Sequence, residues 1–424
     1  MKFYKKPIFT GFAPNLKIRD VFTAVGFLFL PWRWKKLRVG EGVGKVEDWL
    51  NNYFQTKYAF TFDSGRSALH YALKALGADY GCEVLVQSYT CVVVINAIKW
   101  TGAKPIYVDI DDNFCIDCAN LIKKITQKTK ILIIQHTFGR PANLDKLLEI
   151  AREHNLKVIE DCAHSFGAKH NGQLTGTFGD VGMFSFGSDK NVSCVRGGAL
   201  ITNNDSLAKK IADFRSRLPL SKRVKVIQHL WHYPAFSKGK LLYNLGVGKW
   251  LLAFAKKINL INKIIYPPEK EGRQVLFYPA LFPNALAEIL LNQLSRLDET
   301  TRHRQMIAKI YDKEIQTVSE WSTDESPSIT KPEWSDESVW LRYTLLVKNP
   351  QALHALAKKQ GIILGNWYDC PVAPKDIDLS ATDYQLGSCP NDEKLSQMSI
   401  NLPTDPCITP KDAKRIVDLI NLWK

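Results

Sequence analysis

The chain has 424 residues, 45% of them hydrophobic and 23% charged, with a formal net charge of +15. That composition is globular, and the length exceeds what one core comfortably serves, so one large and one smaller domain are expected. Nine scattered cysteines, an odd number, do not suit a secreted disulfide framework, and the lone pair Cys115-x-x-Cys118 offers at most half of a four-ligand metal site; no metal is expected.

The charge is uneven. Between Phe214 and Pro268 there is no Asp or Glu but eleven Lys and Arg, and residues 1–40 hold nine basic residues against Asp20 alone. The rest of the chain is close to neutral. Nucleic acid is the usual partner of a basic chain, but no binding motif accompanies these segments, so none is expected. The apolar run Val21 to Trp32 comes late, lacks a cleavage site and is shorter than the ~20 residues that span a bilayer. A cytoplasmic location is expected.

In chain order, Tyr58–Phe62 reads as a strand, Ser64-Gly65-Arg66-Ser67 as a turn and Ala68–Leu76 as an apolar-periodic helix. Glu83–Val86 is a strand and Val92–Trp100 a helix. Pro105–Asp109, Lys130–Ile134 and Lys157–Glu160 are β-branched runs, with the helix Leu144–His154 between the last two. Val181–Phe186 and Gly198–Thr202 follow as strands. This alternation predicts an α/β large domain whose sheet is mostly parallel and covered by helices on both faces. Residues 214–285 fit no such rhythm. A long helix from Ala285 to about Ile315 then leads into a small α+β domain, with a strand at Trp340–Val347 and helices at Gln351–Gln360 and Pro410–Trp423. The expected division is an N-terminal arm, 1–40; a large domain, 41–285; and the connecting helix with the small domain, 286–424.

Three features fall at the C-terminal ends of predicted strands, where open parallel sheets place ligands. Ser64-Gly65-Arg66-Ser67 opens a helix whose N–H groups suit a phosphate, though an ordinary N-cap has the same look. Asp161 and His164 follow a strand; a carboxylate there can keep a ring nitrogen protonated or merely cap a helix. Lys190 lies in the loop Gly187–Gly197, placed for a Schiff base, although most lysines are simply solvated.

The order and spacing of these blocks resemble the aspartate-aminotransferase-fold enzymes of the DegT/DnrJ/StrS type, which aminate keto-sugar nucleotides. The resemblance runs from Ser64-Gly-Arg-Ser-Ala-Leu-His70 through Ser88-Tyr-Thr90, Asn96-Ala97, Val108-Asp109-Ile110 and His136-Thr-Phe-Gly139. It continues through Val158-Ile-Glu-Asp-Cys-Ala-His164, Phe184-Ser-Phe186 with Lys190, Gly197-Gly198 and Asn401-Leu-Pro403. It implies a seven-stranded sheet, a homodimer and bound pyridoxal 5'-phosphate. It implies that Lys190 holds the cofactor and moves the proton, that Asp161 partners the pyridine nitrogen, and that His164 lies near the ring oxygen. Gly65, Arg66 and Ser185 fall at its phosphate end, where Ser67 can add a hydroxyl, and Tyr89 falls near its ring. The implied substrates are an amino donor, L-glutamate, and a keto-sugar nucleotide for surface-polysaccharide synthesis. Three positions depart from the pattern. Cys91 stands where many members have an aromatic residue over the ring, so Tyr89 or another residue covers it, or that face is more open. Arg196 stands where Glu is common. Leu281–Asn284 offers no clear counterpart to the Asn that a partner subunit brings to the phosphate.

About 214–270 looks like an insertion. Within it Val247, Leu251, Phe254, Ile258, Ile261 and Ile265 follow helical spacing, with Lys249, Lys256 and Lys263 on another face; Trp231, Tyr233, Phe236, Tyr243 and Trp250 add aromatic weight. If helical, this is a basic amphipathic helix, and Val21–Trp34 has a similar character. Three readings stand side by side: packing within the protein, peripheral contact with anionic lipid, and attraction of an anionic substrate. Two other functions remain open, a pyridoxal-phosphate enzyme acting on a lipid-linked or non-sugar substrate, and a non-catalytic protein of the membrane surface or of regulation.

Overall fold

The structure is a computed structural model and describes residues 8–9, 15–242, 247–257, 260–316 and 329–423. Its centre is a seven-stranded sheet: β1 (Tyr58–Phe62), β2 (Glu83–Gln87), β3 (Lys104–Val108), β4 (Thr129–Gln135), β5 (Lys157–Asp161), β6 (Val181–Ser185) and β7 (Gly198–Thr202). The spatial order is β1-β7-β6-β5-β4-β2-β3. Only β7 runs antiparallel to its neighbours; the other pairs are parallel. Each of the seven strands predicted for this sheet is present, with ends shifted by at most one residue, while the small-domain strand expected from Trp340 begins at Arg342. The two faces of β4 explain its unbroken apolar run. Ile131 and Ile133 pack with Leu69, Leu73 and Ile95 on one side, while Leu132 and Ile134 pack with Leu144 and Leu147 on the other. Alternate side chains of a strand point to opposite faces, and both faces here are covered by helices.

The small domain is a three-stranded antiparallel sheet, Ile329–Thr330, Arg342–Val347 and Ser399–Pro403, backed by the helices Pro350–Lys359 and Pro410–Leu422. The N-terminal pair Ile8–Phe9 runs parallel to Ile362–Ile363.

Two expectations need correction. The helix expected from Ala285 to Ile315 is two helices, Asn284–Leu294 and Leu297–Glu314. The break falls at Arg296, whose backbone (φ −117°, ψ 11°) leaves the helical region. There Arg296 pairs with the buried carboxylate of Asp20 at 2.8 Å, a partner 276 residues away that no local pattern announces. The second correction concerns the insertion. It holds two helices, Arg223–Leu241 and Val247–Lys257, so the amphipathic helix stops short of Ile261 and Ile265. Its expected apolar face also points partly outward. Val247 and Phe254 are exposed, as is Trp250, while Leu252 and Ala255 pack with Ala235 and Phe236. Leu252 sits against Gly239, where a Cβ would come within 2.6 Å of it. Tyr243, Ile258, Lys2, Lys5 and Lys6, and the side chains of Lys240 and Lys249, lie outside the described residues.

The two basic segments meet. Helix Ile18–Phe29 packs on Arg223–Leu241, with Phe29 edge-on to Trp231 at 5.7 Å between ring centres. Packing does not consume their apolar surface, for Ile18, Phe22, Phe29, Trp32 and Trp34 remain exposed. No helix among the described residues is long and apolar enough to cross a membrane.

Candidate active site

The C-terminal ends of β1, β5 and β6 open onto one cavity of about 840 Å3, continuous with solvent. After β1, Ser64 caps the helix Gly65–Ala75 and its side chain accepts from Ser67 N. Gly65 is a required small residue, since a Cβ on it would lie 2.8 Å from the Cβ of Ser185. Gly198 is another, because a Cβ there would meet Ser64 O at 2.5 Å. These close approaches seat the helix N-terminus against the ends of β6 and β7.

Asp161 ends β5. Its Oδ1 accepts from Ala163 N at 2.9 Å. Burial pushes its carboxyl upward, against the opposing pull of that hydrogen bond and of the Lys190 charge. His164 is buried, and burial followed by the charge of Lys190 holds its pKa well below the usual value. The imidazole is therefore neutral. Its Nδ1 accepts from Phe138 N at 3.4 Å, which leaves the proton on Nε2, 3.5 Å from the Tyr368 hydroxyl.

Lys190 projects from the loop after β6. Its Nζ lies 4.0 Å from Asp189 Oδ2 and 4.9 Å from the centre of the Trp367 ring. Asn15, in the chain before helix Ile18–Phe29, clamps this loop. Its amide donates to Lys190 O at 3.3 Å and to Asn191 O. Its Oδ1 accepts from the buried Arg304 at 3.0 Å, and Arg304 is paired with Asp405 at 3.1 Å.

Of the residues expected at the site, Lys190, Asp161, His164, Gly65, Arg66 and Ser185 line the cavity together. Ser67 and Tyr89 do not. Ser67 turns its hydroxyl to Asp63 Oδ1 at 2.6 Å. Tyr89 is fully enclosed, its hydroxyl donating to Tyr368 O at 3.2 Å, so it supports the wall from behind and does not cover a ring. Cys91 does line the cavity, and Trp367 and Tyr368 join it from the small domain. Asn262, Ile264 and Ile265 of the insertion form another part of the wall. Glu269, also from the insertion, pairs with Arg66 at 3.0 Å; its side chain is fully buried and that of Arg66 nearly so. Sequence reasoning missed Asn15, Asn262, Glu269, Trp367 and Tyr368; each acts across a long sequence separation and sits in no local motif. A buried group of His136, Glu160 and Cys162 has metal-like proximity. Its carboxylate, however, already accepts from the backbone N–H of Gly176, Phe178 and Gly179 and from His136. It fastens the turn between β5 and β6.

The arrangement fits a phosphorylated pyridine aldehyde. A helix N-terminus with a serine at Ser185 suits the phosphate, Asp161 suits a ring nitrogen, and Lys190 suits the aldehyde carbon. The fold and site define a pyridoxal-phosphate-dependent aminotransferase. The sequence pattern of the DegT/DnrJ/EryC1/StrS aminotransferase family matches residues 32–232 and 277–421, and the chain belongs to that family. The match leaves out 233–276, overlapping the expected insertion, and 1–31. The chain is 38% identical over 194 residues to GDP-perosamine synthase of Escherichia coli O157:H7, covering 46% of this chain and 52% of that protein. It is 28% identical over 386 residues to dTDP-3-amino-3,6-dideoxy-alpha-D-galactopyranose transaminase of Aneurinibacillus thermoaerophilus, covering 90% of each. Among solved structures, DesV of S. venezuelae superposes with a TM-score of 0.72 at 24% identity, covering 96% of this chain and 94% of that one.

Proposed function

We propose that the protein transfers an amino group, from L-glutamate, to a keto-sugar carried on a nucleotide, in the making of amino sugars for surface polysaccharides. The observation that carries this is the convergence of Lys190, Asp161 and His164 on one cavity in a chain whose relatives are named for amino-sugar nucleotides. Pyridoxal phosphate, when bound, supplies an electron sink for the carbon that loses a proton. Asp161 carries the negative charge that keeps a ring nitrogen protonated. Lys190 Nζ takes and returns the migrating proton. Gly65 and Ser185 hold the phosphate, neutral His164 offers a hydrogen bond without adding charge, and Trp367 and Tyr368 screen the reacting atoms from water. Incubation with L-glutamate and a panel of keto-sugar nucleotides, read by mass spectrometry, should yield an amino product with wild type and none with Lys190→Ala. Cofactor absorbance without product across the panel would instead favour a lipid-linked or non-sugar substrate. We also infer a homodimer, to be checked by light scattering.

The same protein should bind anionic lipid at its periphery on the inner membrane face. The observation is that helix Ile18–Phe29, outside the family match, packs on Arg223–Leu241, and that Phe22, Trp32, Trp34, Trp250 and Phe254 around them stay exposed in segments rich in lysine and arginine. Aromatic and basic residues together suit a membrane interface, whereas a second copy of so basic a face would be repelled. Co-sedimentation with phosphatidylserine vesicles, but not with neutral ones, is expected. Equal sedimentation after Trp32→Ser, Trp34→Ser and Trp250→Ser together would sink it.

A further inference from the structure

Two arginines stand at the phosphate end of the cavity with opposite hydrogen-bonding fates. Arg66 is spoken for. It pairs with Glu269 at 3.0 Å and donates to Ile264 O. Arg196 is 5% exposed. Its guanidinium makes no ion pair or hydrogen bond among the described residues, and its Nε and Nη2 are buried without a partner. Three rings surround it: Tyr278, Tyr266 and Phe277, with centres 4.9, 5.5 and 5.9 Å from its Cζ. Ring faces ease a cation's burial but accept no strong hydrogen bond. The carboxylate that feels its charge, Asp63, is pushed up to about 6 by burial and is engaged by Ser67. Lys225 and His229 are both pushed down, first by burial and then by Arg196 itself.

A buried, unpaired guanidinium is costly to a fold, and buried polar groups without partners call for a missing one. What Arg196 lacks is an acceptor for its buried Nε and Nη2 hydrogens. The cavity that it lines together with Ser64, Gly65, Arg66 and Ser185 is where a phosphate dianion fits. We propose that Arg196 is an anchoring residue for the phosphate of the bound cofactor, supplying the charge that Arg66 gives up to Glu269. This rests on the cofactor reading. It also gives a role to a residue that first stands out as a departure from the family pattern. Glu269 belongs to the segment outside the family match, so the insertion and Arg196 form one arrangement: the insertion neutralises one arginine, and the second takes over.

The test compares two ligands on cofactor-free full-length protein: pyridoxal phosphate, and pyridoxal, which lacks the phosphate. Dissociation constants are read from absorbance and from quenching of tryptophan fluorescence, for wild type, Arg196→Met and Arg196→Lys. For R196M the affinity for pyridoxal phosphate should fall about ten- to a hundredfold, while that for pyridoxal stays within about threefold of wild type. R196K, which keeps the charge but not the planar fork, should fall between. Equal weakening of both ligands, or unchanged affinity for pyridoxal phosphate, would overturn the assignment. If R196M does not fold, the same pair of ligands on R196K decides it by the same criterion. Failure of wild type to take up pyridoxal phosphate would instead overturn the cofactor reading, and this assignment with it.

Discussion

The cofactor cavity has an inner and an outer wall of different origin. The inner wall is Ser64 to Arg66, Asp161 to His164 and Ser185 to Lys190, each a short loop at the end of a sheet strand. The outer wall is Asn262, Ile264, Ile265, Trp367 and Tyr368, brought in by the insertion and the small domain. Inner-wall side chains are placed by the strand immediately before them. Outer-wall side chains are placed by partners hundreds of residues away. The lesson is that chemistry is written locally here, while enclosure is assembled globally.

Four substitutions probe that difference. Lys190→Ala should cut amination at least about a thousandfold with little change in melting temperature, since its side chain is 12% exposed and holds nothing else up. A large loss of stability would blur the distinction. Glu269→Gln should act the other way. It leaves Arg66 buried and unpaired, at a cost of about 3–5 kcal/mol, seen in urea unfolding. A loss below about 1 kcal/mol would mean the outer wall is not tied to the helix through this pair.

A pH effect comes from the helix Pro390–Met398, whose Leu395 packs with Tyr368. Burial pushes Asp392 up to about 8. In the unfolded chain it ionises near the ordinary value of about 4. Its contribution to stability is therefore full below about pH 4 and is lost as pH rises towards 8. Asp392→Asn should flatten that fall, a difference on the order of a few kcal/mol between pH 5 and 8.5, measurable by denaturant titration at both values. An unchanged slope would refute it. The smallest effect is expected from Asn15→Ala, which deprives Arg304 of one acceptor and frees the Lys190 loop. A loss of about 1–2 kcal/mol with a lower kcat is expected; full activity would show that the loop holds its shape unaided.

The sheet was legible because Ile131 to Ile134 and its counterparts are strands buried on both faces, and the inner wall because its residues follow those strands at fixed offsets. The outer wall was not. Trp367-Tyr368 looks like any aromatic pair in a loop until Arg342–Val347 and Ser399–Pro403 fold it against Lys190. The insertion misled for a related reason. Val247 and Phe254 keep helical apolar spacing, yet the neighbouring face with Leu252 and Ala255 is the one that packs against Ala235 and Phe236. Tyr89 misled because an aromatic residue beside a site serves equally well as its backing.

The clamp on the Lys190 loop has a consequence for how the protein is made. Asn15 leaves the ribosome early, since synthesis runs from the N-terminus. Its partner Arg304 is separated from it by 289 residues, and Asp405, which orients Arg304, comes later still. The loop that carries Lys190 can thus be fastened only when almost the entire polypeptide has emerged. A ribosome-stalled chain ending before residue 405 should possess the sheet and yet take up cofactor poorly, whereas release of the complete chain should restore uptake. Synthesis would then deliver a finished scaffold first and a competent catalyst last.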